Sequence, residues 1–195
     1  CDVICEKPIV LNPWNINSLI QVEKESSNKV HAILQLRLHP SIISLKDRII
    51  KSSSDKIFNI DLKYITSRGK WYHHSWKGDY DKSGGILSNI GIHFFDMLIW
   101  IFGDVIDLKK EFEDKSTAKG VIVLEKAKVN WFLSVDYENI PKDVKDEGLR
   151  TYRSLKIGDD EIEFSTGFTD LHTQSYEKIL NNQSFSLKDT YKAIE

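Results

Sequence analysis

A pair of glycines, Gly84-Gly85, opens onto Ile86-Leu87-Ser88-Asn89-Ile90-Gly91-Ile92-His93-Phe94-Phe95-Asp96. The run reads as a strongly apolar helix over about 86–102, stopped by Gly103. Asn89, His93, Asp96 and Trp100 follow the spacing i, i+4, i+7, i+11 and are expected on one helical face. Gly91 leaves the backbone bare beside them, so a neighbouring chain or a ligand could approach closely. Spacing alone leaves two readings of His93 open, a hydrogen-bonded core histidine or a site residue.

The chain around this helix divides in two. Residues 1–5 read as a buried strand that ends at Glu6-Lys7-Pro8. Asn12 is placed to cap a helix that has Pro13 at its first position, with Leu11 able to staple onto Ile16. Alternation from Val30 to Leu38 predicts a second strand, giving one right-handed parallel crossover unit. After Pro40 a short helix is expected, then a long strand over 58–66. Beyond the glycine-opened helix, strands are expected near 105–115, 119–125 and 128–137, with a charged, mobile loop at 138–149. A hairpin turning at Gly158-Asp159 and helices near 169–181 and 187–195 complete the chain. The fold class is therefore α+β, a mostly antiparallel open sheet with helices on one face preceded by a strand–helix–strand unit, with the break near 38–40.

Composition bounds the function. With 27 Lys and Arg against 29 Asp and Glu the net charge is −2, which argues against nonspecific nucleic-acid binding. Any anionic ligand must be held by a local cluster of cations. Cys1 and Cys5 point to the same face of one strand but lie too far apart along it for a disulfide, so buried free thiols in a reducing cytoplasm are expected. No apolar run approaching the roughly 20 residues of a membrane span and no signal peptide are evident, so the expected setting is soluble and cytoplasmic.

Glu6-Lys7-Pro8 after an apolar strand, followed by Gly-Gly-Ile-Leu-x-Asn-x-Gly-x-His-x-x-Asp, closely resembles the glucose-fructose oxidoreductase and inositol dehydrogenase (Gfo/Idh/MocA) superfamily of nicotinamide-dependent sugar enzymes. A narrower likeness rests on Thr66 to Tyr72, on Ser75 to Asp79, on Gly167 to Thr173, and on Asn at position 89, where many members carry Asp. These segments resemble the branch that oxidises UDP-N-acetylglucosaminuronic acid at C3 in bacterial surface-polysaccharide synthesis. The resemblance implies NAD as cofactor, 2-oxoglutarate as a possible recycling partner, and a dimer or tetramer. It implies catalytic roles for Lys7 and His93, which converge on the substrate hydroxyl, and cofactor contacts from Glu6, Lys7 and Pro8. By the same resemblance, residues 1–38 are the last strand–helix–strand of a Rossmann-type dinucleotide-binding domain, and 39–195 a substrate-binding and oligomerisation domain. The sequence holds no Gly-x-Gly-x-x-Gly turn, so this chain is expected to be a fragment that lacks most of the nucleotide-binding half.

The residues suit that chemistry. Oxidising a secondary alcohol needs a base for the hydroxyl proton and an acceptor for the hydride. His93 can be the base, and Lys7 can hydrogen-bond the same oxygen and stabilise a developing alkoxide. Asn89 can hold a sugar hydroxyl but cannot take a proton. Arg68, Lys77, Tyr72 and Trp76 offer cations and aromatic faces suited to a carboxylate and a sugar nucleotide. His73, His74, His93 and Asp96 match no metal-ligand spacing, so no metal is expected. Arg37 and His39, at a strand end facing the same cleft, are read as supporting residues, and His172, at an expected helix start, is explained by capping and packing as well as by function. Two alternatives stand beside the dehydrogenase: a noncatalytic binding or oligomerisation module, and a glycosidase of the same superfamily that uses bound NAD transiently.

Overall fold

The computed structural model describes residues 1–53 and 56–195. β1 (Val3–Cys5) and β2 (Val30–Ala32) pair in parallel, joined by helix α1 (Pro13–Glu25). As its sequence dictates, α1 starts with Pro13 in its first turn and with the Asn12 side chain accepting from the Asn15 amide. It buries Ile16 completely. Two expectations for this unit change. Val3 and Ile4 are 51% and 47% exposed, so β1 is a two-stranded edge rather than a buried strand. The free Cys1 is exposed and the free Cys5 only half-buried. The second strand stops at Ala32 and gives way to a 3-10 turn, Gln35–Leu38. Alternation misled there because the polar Arg37 is buried along with Ile33, Leu34, Leu36 and Leu38, so the segment has no solvent face.

Helix α2 (Pro40–Ile50) follows, capped by His39, whose Nδ1 accepts from the Ser41 amide. Then comes a six-stranded sheet in the order β4-β5-β6-β3-β7-β8: β3 (Phe58–Thr66), β4 (Val105–Glu113), β5 (Thr117–Leu124), β6 (Ala127–Ser134), β7 (Thr151–Ile157) and β8 (Asp160–Glu163). The β3–β6 pair is parallel and every other pair antiparallel. Gly158 takes φ 63° at the β7–β8 turn, a left-handed conformation that disfavours other residues. Residues expected as a mobile charged loop instead form a 3-10 turn, Tyr137–Asn139, and a short helix, Lys142–Asp146. Burial of Ile140 and the Asp136 cap on the Glu138 amide anchor them, a local signal hidden among the charges.

One sheet face carries Leu62, Tyr64, Val129, Trp131 and Leu133, and packs against α2 and helix α3 (Ile92–Phe102). Phe94, Met97, Leu98 and Phe102 of α3 are fully buried there. By length and composition alone the helical stretch Tyr80–Phe102 is apolar enough to cross a membrane, but more than half of its apolar window is buried within the fold. In this fold its apolar side chains are spent on the sheet. Helices α4 (Leu171–Leu180) and α5 (Leu187–Ile194) end the chain, and Phe185 bridges back to Ala32 beside β2.

The bare backbone at Gly91 is filled by the protein itself. A Cβ there would lie 2.9 Å from Leu133 Cδ1 and 2.8 Å from the Phe95 ring, so the glycine admits the sheet rather than a ligand. Gly91→Ala should therefore cost about 1–3 kcal/mol of overpacking, more than the roughly 1 kcal/mol that alanine gains as a helix former. Denaturant midpoints of the two proteins measure the difference, and an unchanged or raised midpoint would contradict this packing.

Candidate functional site

The glycine-opened helix is not regular. Leu87–Gly91 forms a π-helical turn before α3 begins at Ile92. Such turns commonly mark functional positions because the widened ring re-aims backbone groups. Here the Asn89 carbonyl, inside that turn, accepts from the Lys7 ammonium at 2.6 Å. The Asn89 side chain turns the other way, its Nδ2 donating to the Lys77 carbonyl at 3.3 Å and to the Tyr72 hydroxyl at 3.5 Å. One side of the helix thus gathers Lys7, Tyr72 and Lys77 around Asn89.

The single face expected for Asn89, His93, Asp96 and Trp100 divides into two environments. Asp96 is buried in a bidentate pair with Arg37, at 2.6 and 3.0 Å, and Trp100 lies beneath the Lys46 ammonium at 3.6 Å. His93, one turn earlier, is half-buried among Lys7, Arg153 and His172. Asp96 is committed to Arg37, which takes it out of the imagined histidine cluster.

Electrostatics set the protonation states. Burial is the main cause pushing Lys7 down to about 8; Glu6 opposes it, while Lys77 and Arg68 add to it. Burial also holds His93 well below its ordinary value, and the charges of Lys7, Arg153 and His172 push the same way. Tyr72 is raised, chiefly by burial. At neutral pH the site therefore offers a neutral imidazole beside a lysine that is still mostly protonated. Cations converge from separate elements: Lys7 follows β1, Arg68 follows β3, Lys77 sits in the 3-10 turn Trp76–Gly78 and Arg153 is on β7, with His172 on α4 beside them. Glu6 is the carboxylate among them, and it pairs with His172 at 2.8 Å. A net positive hollow of this kind favours an anionic ligand.

Residues Glu6 to Leu11, together with Trp76, Lys77, Lys82, Ser83 and Asn89, enclose a cavity of about 510 Å³. Of the sequence-predicted residues, Glu6, Lys7, Pro8, Trp76, Lys77 and Asn89 line it. Tyr72 is buried behind Asn89, whereas Arg68 is exposed and acts at longer range on Lys7 and Tyr72. His73 and His74 are solvent-exposed and join neither group. His39 is structural: its Nε2 meets the Thr166 carbonyl at 2.8 Å and its ring packs on Phe164 and Phe168.

Sequence reasoning missed Arg153 and underrated His172. Arg153 lies over the Phe168 ring at 4.0 Å and the Tyr64 ring at 4.8 Å, with Nη1 donating to the Ser165 carbonyl. Its buried Nε has no protein partner among the described residues. No local signal distinguishes it from any other β-strand arginine. His172 could have been suspected from the Gly167–Thr173 motif, but its partner Glu6 is 166 positions away.

Residues 46–140 match the family described as oxidoreductase family, C-terminal alpha/beta domain. The WlbA (WbpB) dehydrogenase of Thermus thermophilus, solved with NAD and alpha-ketoglutarate, superposes with a TM-score of 0.95 at 42% identity. The match covers 100% of this chain and 62% of that one. The same dehydrogenase solved with NAD and UDP-GlcNAcA gives 0.94 at 42% identity, with the same coverage. The oxidoreductase cns1 of Cordyceps militaris is 27% identical over 122 residues, which are 62% of this chain and 15% of that protein. This chain thus spans less than two thirds of the length of each.

Proposed function

We propose, on the premise that residues 46–140 are a C-terminal alpha/beta domain of this oxidoreductase family, that the chain is the substrate-side part of an NAD-dependent dehydrogenase. Its substrate is the C3 hydroxyl of a UDP-N-acetylhexosaminuronic acid, in the cytoplasmic synthesis of a bacterial surface polysaccharide. The observation that carries the reading is the Lys7 ammonium held at 2.6 Å on the Asn89 carbonyl at the edge of a cation-rich hollow, with His93 one helical turn on from Asn89 and held neutral by burial and by the charge of Lys7. In this reading residues 1–38 close a dinucleotide-binding domain and 39–195 bind the substrate. The side of the sheet away from α2 and α3, bearing Asp61, Lys63, Lys119, Asn130 and Lys156, supplies a face for a dimer or tetramer.

The division of labour follows from the protonation states. His93 accepts the C3 hydroxyl proton at its imidazole nitrogen. Lys7 donates a hydrogen bond to the same oxygen, and its Asn89 carbonyl contact holds the ammonium in position while negative charge builds on that oxygen. Asn89 orients the ring, and Arg68, Lys77, Tyr72 and Trp76 bind the uronate and its diphosphate. Lys7 and its neighbours fit the reacting end of a dinucleotide, because they lie just beyond the carboxyl end of the parallel strand β1, where open α/β sheets bind ligands. NAD, when bound, supplies the acceptor for the C3 hydride and, with 2-oxoglutarate as second substrate, a way to return it as 2-hydroxyglutarate.

The test uses the full-length protein with UDP-GlcNAcA. Absorbance at 340 nm should rise with added NAD, and 2-hydroxyglutarate should accumulate when 2-oxoglutarate is supplied. Neither NADH nor 2-hydroxyglutarate from any UDP-hexosaminuronate would sink the reading.

A further inference from the structure

The pairing of β1 with β2 ends at Cys5 and Ala32, so Glu6-Lys7-Pro8 carries the lysine of the proposed reaction beyond the end of the ladder. Among the described residues, the main chain of these three makes no hydrogen bond to another backbone group. Two side-chain contacts pin the segment instead. The Lys7 ammonium donates to the Asn89 carbonyl at 2.6 Å, and the Glu6 carboxylate meets His172 Nε2 at 2.8 Å. The Cys5 thiol adds only a long contact of 3.4 Å to the Glu6 carbonyl.

The two ends of the Glu6–His172 contact are unequal. His172 stands in the first turn of α4, at the end of a loop built into the core. Leu171 beside it is buried, and Phe168 packs against the Arg153 guanidinium and the His39 ring. Gly167 lets that loop close on His39: it has φ 83°, and a Cβ there would come within 2.8 Å of His39 Nε2. Glu6 has no such support. Its side chain is 57% exposed, and His172 is its one ion-pair partner among the described residues. It is also the one acid lining the cavity of Lys7, yet among the described residues no ion pair joins it to the ammonium next to it in sequence. His172 takes the acid that would otherwise be closest to Lys7.

We propose that His172 is a positioning residue: by clamping the Glu6 carboxylate it fixes the segment that carries Lys7 and keeps the neighbouring acid off the ammonium, which stays on the Asn89 carbonyl and free to meet the substrate oxygen. The inference rests on the reading above of Lys7 as the donor to that oxygen. Released from His172, the Glu6 carboxylate would sit one residue from the ammonium on a segment without ladder bonds, and it would turn to that cation. An opposite charge close by would then hold Lys7 protonated to higher pH and draw it from its place. The other groups around Lys7 do not take over the clamp. Lys77 and Arg68 are cations, Lys82 across the cavity is occupied by Asp79 at 3.2 Å, and His93 faces Lys7 from α3 as a neutral ring. An exposed pair such as Glu6–His172 adds little to overall stability, so its loss is read in the site and not in the fold.

Trace acetylation by acetic anhydride, followed at Lys7 by mass spectrometry across pH, reads the protonation of that amine in the full-length protein without any turnover. His172→Ala should raise the Lys7 midpoint by at least about half a pH unit, the effect of a carboxylate brought to ion-pair distance in solvent-rich surroundings. In a Glu6→Gln background the same substitution should move it no further, because no carboxylate is left to release. With UDP-GlcNAcA and NAD, His172→Ala should lower kcat at least roughly tenfold, since misplacing a reacting group by about an ångström costs up to about 10²-fold. His172→Gln, whose amide can still donate to the carboxylate, should keep most of the rate, and the urea midpoint of each variant should stay at the wild-type value. An unmoved Lys7 midpoint in His172→Ala, an equal shift with and without the Glu6 carboxylate, or equal losses of rate in His172→Ala and His172→Gln would each overturn the clamp. A Lys7 midpoint that shifts as expected in a protein that forms no NADH would instead overturn the dehydrogenase reading and leave the clamp standing.

Discussion

Replacing His93 with Asn in the full-length protein is expected to lower kcat about 10²- to 10⁴-fold, the usual contribution of a positioned general base. The dissociation constant of the sugar nucleotide should change less than about threefold, because most of its binding contacts lie elsewhere. Lys7→Met should lower kcat by about 10²- to 10³-fold through loss of the donor at the developing alkoxide. The pH dependence separates the two roles. Lys7 is cationic below about 8 and neutral above, so kcat/KM should fall as pH rises through that value. His93, held well below its ordinary value chiefly by burial, with the charges of Lys7 and Arg153 adding to it, remains neutral through the neutral range and places the acid limb below pH 6.5. Lys7→Arg keeps its charge at every accessible pH, so its residual rate should lose the alkaline limb. A limb that stays near pH 8 in Lys7→Arg would remove Lys7 from the chemistry, and a full rate in His93→Asn would remove His93.

Much of this site was legible because its parts sit in short, punctuated segments. Asn12-Pro13 fixes the start of α1, Gly103 with φ 89° ends α3, and the clean alternation of Val129, Trp131 and Leu133 marks the buried face of β6. Lys7 and His93 stood out through the motifs around them. What stayed hidden depends on long-range pairing. The π-turn at Leu87–Gly91 leaves no trace in a hydrophobic period, yet it turns the Asn89 carbonyl toward Lys7. The supposed face of four polar residues divides because Asp96 answers to Arg37, 59 positions earlier. Arg153 and His172 reach the site only once the sheet and α4 are in place.

The same Arg37–Asp96 pair should give the largest single effect on stability. Arg37 is buried, donates to both oxygens of Asp96 and to the Asp189 carbonyl, and lies over the Phe185 ring at 5.2 Å. It thereby ties the 3-10 turn after β2 to α3 and to α5, whose first turn is closed by the Ser186–Asp189 capping box. Asp96→Ala should cost about 3–5 kcal/mol, because a guanidinium cannot shed its charge and is left buried. Asp189, 3.5 Å from Arg37 and partly exposed, can compensate only in part. Arg37→Ala strands the other partner, and the outcome differs in kind. Burial already raises Asp96 and Arg37 is what lowers it, so without Arg37 the folded carboxyl binds a proton more readily than the unfolded one. The folded state then holds more protons, and stability of Arg37→Ala must fall as pH rises through this range, with acid relieving the cost. Asp96→Ala should lack that acid relief. Replacing both, Arg37→Met with Asp96→Leu, should recover most of the loss, since an apolar pair of similar volume needs no charge compensation. Urea midpoints from pH 5 to 8 for the three variants decide the matter. Equal, pH-independent losses would mean that the pair acts by packing alone, and a double variant no better than Asp96→Ala would mean that its charges are needed for the fold.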